Sequence, residues 1–226
     1  MPHMHPALTA ASASRDLTQG TRRRLMFGLL AAAALPLLQG CFPVVATGVS
    51  AGAAMFSDRR TSGSYVEDES IEWKVGGRIR ERFGDSVHIN VTSYNRNVLL
   101  TGEAPNDSVR SELDRIVASV DNVRGVINEV AIGPNSALTA RGNDTLITSN
   151  VKARFVDSGS FSAHNVKVVT EANVVFLLGV VTRSEADAAA EVARTSKGVR
   201  KVVRVFEYIS EEEARRLDNP VGARKQ

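Results

Sequence analysis

The sequence is poor in the residues on which most catalytic and metal sites depend. It has one cysteine, one tryptophan and four histidines among 226 residues. A single cysteine forms no internal disulfide, and no paired metal-ligand spacing is present. His88 and His164, which lie in separate halves at the edges of predicted strands, are interpreted as solvated or hydrogen-bonded. We therefore expect no enzymatic activity, no metal site, no cofactor and no small-molecule substrate.

The sequence also lacks an apolar run long enough to cross a bilayer. The run at residues 25–38 contains Pro36 and falls short of the roughly 20 apolar residues that a spanning helix needs. Three arginines at 22–24 precede it, which is the layout of an export signal. Residues 38–41 (LQGC) resemble the lipobox of bacterial lipoproteins, although Gln39 is unusual there. The arginines also resemble, faintly, a twin-arginine signal, which is the alternative export route.

The lipobox resemblance implies that residues 1–40 are removed and that Cys41 carries covalent lipid. Several long acyl chains, each methylene contributing about 0.8 kcal/mol, would anchor the protein stably. Phe42 stands where lipoproteins kept in the inner membrane usually carry aspartate. The resemblance therefore implies a lipid-anchored protein of the outer membrane that faces the periplasm.

The charge balance changes once the predicted signal is removed. Residues 1–40 hold four arginines and one aspartate, so 24 of the 28 basic and 24 of the 25 acidic residues remain. The apparent basicity belongs to the signal. A nucleic-acid partner is therefore not expected.

The main organisational feature is an internal repeat, which indicates two copies of one domain. Residues 87–102 (VHINVTSYNRNVLLTG) align with residues 164–179 (HNVKVVTEANVVFLLG). Each segment begins with alternating apolar residues, passes a polar three-residue turn ending in Asn97 or Asn173, and enters a second apolar run. This pattern predicts a β-hairpin in each copy.

Amphipathic helices are predicted on both sides of each hairpin. The helix before it has apolar residues at helical spacing, at 71, 75, 79 and 83 in the first copy and at 147, 151 and 155 in the second. Asp144 is interpreted as the N-cap of the latter helix. The helix after it begins near residue 106 or, with a capping box, at Thr182 and Glu185. A β-branched run closes each copy, so the fold class is α+β: helix-strand-strand-helix-strand, with two helices covering a three-stranded sheet.

These elements divide the chain into six segments. They are a lipoprotein signal peptide (1–40), the lipidated cysteine and a flexible tether (41–65), the first domain (66–133), a linker (134–143), the second domain (144–210) and a charged tail (211–226). Domains of about seventy residues are marginally stable alone. We therefore expect the two copies to contact each other.

The repeated unit resembles the BON domain (bacterial OsmY and nodulation), and the whole chain is similar to the dual-BON outer membrane lipoproteins. The segments that carry the resemblance are residues 89–94 (INVTSY), 98–102 (VLLTG), 143–145 (NDT), 165–168 (NVKV) and 198–202 (GVRKV). The resemblance implies a non-enzymatic protein that supports outer membrane integrity. It also implies binding of anionic phospholipid through the first helix of the second BON domain.

Carried onto this chain, that site would lie on the first helix of the second copy. The residues expected to bind phospholipid are Leu146, Ile147, Ser149, Asn150, Lys152, Ala153, Arg154 and Val156. Related proteins often carry an aromatic residue at the place of Leu146.

The residues themselves give some support to a lipid-binding face in the second copy. Residues 144–210 carry nine basic and seven acidic groups, whereas residues 66–132 carry eight and twelve. Aligning the first helices on Val75, Ile79 and Phe83 sets the charged Lys74, Arg78 and Glu81 against the neutral Leu146, Asn150 and Ala153. Apolar groups flanked by Lys152 and Arg154 suit a headgroup layer.

Two alternatives remain open. Leu146 could instead pack on the sister domain or on the linker, and the protein could be an adaptor that docks on an envelope assembly machine or on the cell wall. Trp73 is interpreted as a packing residue or an interdomain contact. Binding to anionic vesicles favours the lipid module, and a protein partner favours the adaptor.

Overall fold

A computed structural model describes residues 58–219. Cys41 and the predicted signal lie outside the described residues. The first domain contains helix α1, strands β1 and β2, helix α2 and the short strands β3 and β4. Their bounds are Ser62–Phe83, His88–Tyr94, Asn97–Ala104, Asp107–Ala118, Gly125–Asn128 and Ala131–Ile132.

The second domain repeats this order and adds a short helix at its end. Helix α3, strands β5 and β6, helix α4, strand β7 and helix α5 span Leu138–Ser158, Lys167–Glu171, Val174–Val181, Arg183–Arg194, Lys201–Tyr208 and Glu211–Asp218. Thr182 and Glu185 form the predicted capping box at the start of α4. The α+β architecture of two tandem units, each with helices on a three-stranded sheet, is thereby confirmed.

Each sheet is built from an antiparallel hairpin and a parallel third strand. β1 pairs with β2 and β5 pairs with β6, and each hairpin turns through two residues with positive φ, Asn95-Arg96 or Ala172-Asn173, as tight hairpins of this twist require. β7 pairs in parallel with β6 along its whole length. Its counterpart in the first domain is interrupted, so that β3 and β4 both pair with β2.

Each domain buries one face of its sheet under its own helices. The buried residues of the first domain's core are Ile71, Val75, Ile79, Val87, Val98, Leu100, Ala104, Leu113, Val117, Val120 and Val130. Those of the second are Ile147, Val151, Phe155, Val166, Val168, Val175, Leu177, Val181, Ala186, Ala189, Ala190 and Ala193. The alternating pattern of the strands leaves a second apolar set on the opposite face of each sheet.

The two opposite faces pack against each other, which is the contact expected between the copies. Tyr94 and Leu99 of the first domain join Phe176, Leu178 and Val180 of the second in one buried cluster. Polar bonds border it. They join Asn90 and Thr101 to Glu171, Asn95 to Glu207, and Lys167 to Glu72.

The starts of both first helices differ from the sequence interpretation. Helix α1 begins at Ser62 with Thr61 as its N-cap, so residues 62–65, predicted to belong to the tether, lie inside it. Helix α3 begins at Leu138 and includes residues 138–143, which were assigned to the linker. Asp144 is therefore not a cap but a buried residue within the helix.

Asp144 and Asp68 instead bind the turn of their own domain's hairpin. The Asp144 carboxylate accepts hydrogen bonds from the backbone N–H groups of Ala172 and Asn173 at 2.9 and 2.8 Å. Asp68 accepts the equivalent bonds from Asn95 and Arg96. Each carboxylate thus fixes a two-residue turn to the first helix of its domain.

Candidate functional site

Helix α3 exposes a stripe of mixed character on the side away from its core. Leu146 and Val156 are 70% and 71% exposed. Ser149, Lys152 and Ala153 are also exposed. No salt bridge within residues 58–219 involves Lys152. The stripe therefore combines apolar side chains with a cation that has no carboxylate partner in the described chain.

Two of the eight residues predicted for this site are engaged elsewhere. Ile147 is 4% exposed and lies in the core of the second domain, so it does not reach the surface of the helix. The Arg154 guanidinium donates to the Val192 carbonyl, Ser196 Oγ and Thr195 Oγ1. Arg154 therefore supplies hydrogen-bond donors to the C-terminal end of α4. Asn150, at the edge of the stripe, is half-buried.

The comparison of the two first helices made from sequence is wrong by one helical turn. The buried residues of α1 are Ile71, Val75 and Ile79, and those of α3 are Ile147, Val151 and Phe155. Together with Asp68 and Asp144, they correspond at an offset of 76 residues. The true counterparts of Leu146, Asn150 and Ala153 are therefore Ser70, Lys74 and Gly77.

The corrected offset also identifies the counterpart of Trp73, which is Ser149 of the exposed stripe. Trp73 is 81% exposed, so the interpretation as a packing or interdomain residue is wrong. The burial pattern of a helix repeats every turn, so apolar spacing alone does not distinguish alignments that differ by one turn.

A groove runs between helix α1 of the first domain and helix α3 of the second. Tyr65, Glu69 and Glu72 line it from α1, and Lys152 and Val156 line it from α3. Asp58 and Arg60, at the start of the described chain, line it as well. Residues of the two first helices therefore border one open groove.

The segment before α1 is tied into both domains. Arg60 donates to the Asp68 carboxylate at 2.8 Å, and its guanidinium lies 4.0 Å from the centre of the Tyr94 ring. Arg59 donates to the Val180 carbonyl and to the carboxylates of Glu185 and Asp218 in the second domain. Sequence reasoning missed these bonds of Arg59 and Arg60, because the residues that form them are dispersed along the chain without a motif.

One group of residues has the composition of a metal site. His88, Glu103 and Glu171 place ligand atoms within 4.8 Å of one another at the domain interface. The carboxylates already have partners: Glu103 accepts from His88 Nδ1 at 3.0 Å and from the Ser136 N–H, and Glu171 accepts from Asn90 and Thr101. His88 is thus hydrogen-bonded, as expected, and His164 is exposed.

The family model of the BON domain matches the chain twice, over residues 67–134 and 143–210, which is more than half of its length. The chain belongs to the BON-domain family. The outer membrane lipoprotein DolP of Haemophilus influenzae is 36% identical over 76% of this chain and 90% of its own. The 21 kDa hemolysin of Actinobacillus pleuropneumoniae is 35% identical over 67% of this chain and 79% of the length of the hemolysin.

The osmotically-inducible protein Y of Escherichia coli is a more distant relative of this BON chain, 26% identical over 69% of it and 80% of the relative. None of these three relatives bears the name of an enzyme. Across residues 58–219, every helix is too short or too polar to cross a membrane.

Proposed function

We propose that the chain is a non-enzymatic lipoprotein, anchored through Cys41 to the periplasmic face of the outer membrane, that binds anionic phospholipid through helix α3. Two lines of support come from outside the helix: the lipobox resemblance at residues 38–41 and the relative named as an outer membrane lipoprotein. In this role the protein helps to maintain outer membrane integrity.

The observation that carries the lipid proposal is the exposed stripe of α3. Leu146 and Val156 extend apolar groups into solvent, and Lys152 lies between them in sequence. A helix of this kind binds a bilayer by burying apolar side chains at the level of the headgroups. Each nearby cation adds about 1 kcal/mol on an anionic surface. The partner is therefore the anionic phospholipid of the membrane, with Leu146, Ser149, Asn150, Lys152, Ala153 and Val156 forming the contact.

The test is co-sedimentation of the mature chain, carrying Cys41→Ser so that no acyl chain contributes, with vesicles of phosphatidylcholine alone or mixed with phosphatidylglycerol. We expect binding to the mixed vesicles only, weakened by salt and by Leu146→Glu. The matched control is Ser111→Glu, which makes a comparable change at an exposed position of α2. Equal binding by both variants would place the lipid contact elsewhere.

Failure of the folded chain to bind any vesicle would favour the alternative function, a periplasmic adaptor held at the membrane only by its lipid. A cellular measurement bears on the wider role. Deletion of the gene is expected to sensitise cells to detergent, and unchanged sensitivity would contradict a contribution to membrane integrity.

A further inference from the structure

Strand β7 forms an open edge of the second domain's sheet. It contains eight residues, Lys201–Tyr208, and among the residues that the structure describes it pairs only with β6. The corresponding edge of the first domain is interrupted between β3 and β4 at Glu129 and Val130, and interruptions of this kind prevent further strands from adding to a sheet. The edge of β7 has no interruption, so its outer backbone groups can pair with another strand.

The backbone of β7 shows which of its residues face outward. Ile209, which follows the strand directly, donates its N–H to the Val181 carbonyl of β6 at 3.0 Å. The backbone groups of successive residues in a strand point to opposite sides. The odd-numbered residues of β7 therefore bond to β6, and Val202, Arg204 and Phe206 turn their N–H and C=O groups away from β6.

The side chains of β7 are complementary to a second copy of the same strand. In an antiparallel pair with Arg204 at its centre, opposite charges face each other at both ends and apolar residues face each other between them. The facing pairs are Lys201 with Glu207, Val202 with Phe206, and Val203 with Val205. Each pair occurs twice, because the same strand lies on both sides of the two-fold axis. Cross-strand pairs of these kinds stabilise a sheet.

The backbone permits this register and disfavours its neighbours. Arg204 turns outward, so the two copies exchange N–H···O bonds at the centre of the pair, and Val202 and Phe206 form further bonded pairs. A slip of one residue sets outward groups against groups that already bond to β6. A slip of two residues places the charges of Lys201 and Glu207 opposite apolar residues.

The charged residues of β7 are available for such pairing. Lys201 is exposed, and it forms no salt bridge within residues 58–219. Glu207 uses one carboxylate oxygen, Oε2, for its bonds within the chain, so Oε1 remains for a second cation. The two copies of Arg204 meet at the centre, where like charges would repel each other. Asp187 neutralises each of them at 2.6 Å.

We infer that two copies of the chain associate through β7 and join the sheets of their second domains into one continuous sheet. This inference goes beyond the lipid proposal and does not depend on it. The occupant of the edge is a second copy because the charges and apolar residues of β7 match β7 itself. Pairing also covers Val203 and Val205, which together with Ile127 of β3 line an open groove beside the strand. The two-fold axis is perpendicular to the joined sheet, so helix α3 of both copies lies on the same side.

The test is sedimentation velocity of the mature chain carrying Cys41→Ser, with charge changes at the two ends of β7. Lys201→Glu and Glu207→Lys each place like charges opposite each other in the pair. We expect the unaltered strand to give a dimer and each variant alone to lose it. An equimolar mixture of the two variants is expected to recover the dimer, because the changed residues then face opposite charges in both pairs.

The control is Lys197→Glu, which makes the same change of charge at an exposed residue before the strand and should leave the dimer intact. Circular dichroism verifies that each variant is folded. The inference would be overturned by a chain that stays monomeric without these variants, by equal dimerisation of all variants, or by a mixture that does not recover the dimer.

A second measurement places one thiol at the centre of the pair. Cys41 is the only cysteine of the chain, so a protein with Cys41→Ser and Arg204→Cys carries one thiol per copy. Opposed residues at this position have Cα atoms about 5.5 Å apart, a distance that a disulfide spans. We expect mild oxidation to cross-link most of this variant and little of the control Ser111→Cys, whose thiol lies on α2. Equally slow cross-linking of both variants would contradict pairing through β7.

Discussion

Arg59 and Glu185 lie 126 residues apart in the chain, yet two guanidinium nitrogens of Arg59 donate to the two carboxylate oxygens of Glu185 at 2.6 and 2.8 Å. The Arg59 side chain is only 4% exposed. Paired donation to a carboxylate matches the planar geometry of the guanidinium. Asp218 of α5 accepts two further hydrogen bonds and the Val180 carbonyl accepts a third, so one side chain joins the segment before α1 to the beginning of α4 and to the end of α5.

Arg59→Ala is expected to lower the free energy of unfolding by about 2 to 4 kcal/mol, because it leaves the half-buried Glu185 without its counter-charge. Arg59→Lys should recover little of this loss, since an ammonium group does not reproduce the paired geometry. Urea unfolding at pH 7 measures both variants. Arg194→Ala, which removes an exposed pair with Glu191, is the control and should leave the midpoint unchanged; an equal effect of the two alanine variants would contradict the prediction.

The bonds of Arg59 to Glu185 and Asp218 also predict how the stability of the protein depends on pH. Burial would raise the pKa of Glu185, but the hydrogen bonds from Arg59 and Thr182 outweigh it and hold the pKa below its ordinary value of 4.5. The hydrogen bond from Arg59 likewise lowers the pKa of Asp218 below 3.8. A carboxyl whose pKa is lower in the folded state stabilises fully above the unfolded value and loses that contribution as the pH falls through the folded value.

We therefore expect the native chain to lose stability as the pH falls below about 4.5, and Arg59→Ala to lose less over the same interval. Urea unfolding of both chains at half-unit steps from pH 6 to pH 3 measures the difference. Parallel curves of unfolding free energy against pH would show that the bonds of Arg59 do not contribute to the loss of stability in acid.

The packing of the two sheets predicts different effects for two adjacent residues. Phe176 lies in the cluster between the domains, and Val175 lies in the core of the second domain. Phe176→Asp buries a charge between the sheets and should separate the domains while each retains its own core. Val175→Asp should unfold the second domain.

Small-angle scattering, combined with thermal unfolding followed by circular dichroism, distinguishes the two variants. Phe176→Asp is expected to increase the radius of gyration and to divide the unfolding curve into two transitions. Val175→Asp should instead lose secondary structure at room temperature. A compact Phe176→Asp protein with one transition would show that the interface does not depend on this cluster.

Two glycines predict opposite effects of alanine. At Gly102, where φ is +111°, a Cβ atom would lie 1.9 Å from the His88 carbonyl oxygen, so Gly102→Ala must displace the backbone of β1 and destabilise the first domain severely. Gly76 lies inside α1 with open space around the Cβ position, and Gly76→Ala should raise the free energy of unfolding by up to about 1 kcal/mol. Chemical unfolding of the two variants gives the comparison, and destabilisation by both would contradict the account of Gly76.

The hairpins, the α+β class and the twofold repeat could be predicted because each rests on a local pattern. Alternation predicted the strands, but each turn contains two residues and not the predicted three, because Asn97 is already paired with Tyr94 and Glu171 with Val174. Contact between the domains was expected on grounds of size, but its location was not, because the apolar residues of the second sheet face, such as Phe176 and Leu178, are indistinguishable in sequence from those of the domain core.

The register of the first helices could not be predicted in the same way. A pattern with an apolar residue at every third or fourth position matches itself after a shift of one turn. Aligning Phe83 with Phe155 therefore fitted the pattern as well as aligning Ile71 with Ile147. What fixes the register is the hydrogen bonding of Asp68 and Asp144 to the hairpin turns. The sequence held one clue, since each aspartate precedes the first buried isoleucine of its helix by three residues.

The bonds of Arg59 to Glu185 and Asp218 also determine how mechanical load enters the molecule. A pull on the chain upstream of Asp58 reaches Arg59 before it reaches α1, which begins at Ser62. The guanidinium passes the tension into the second domain. Asp58 and Arg60 pass tension to Tyr94 and Asp68 of the first domain, so a load on this segment is divided between the two domains.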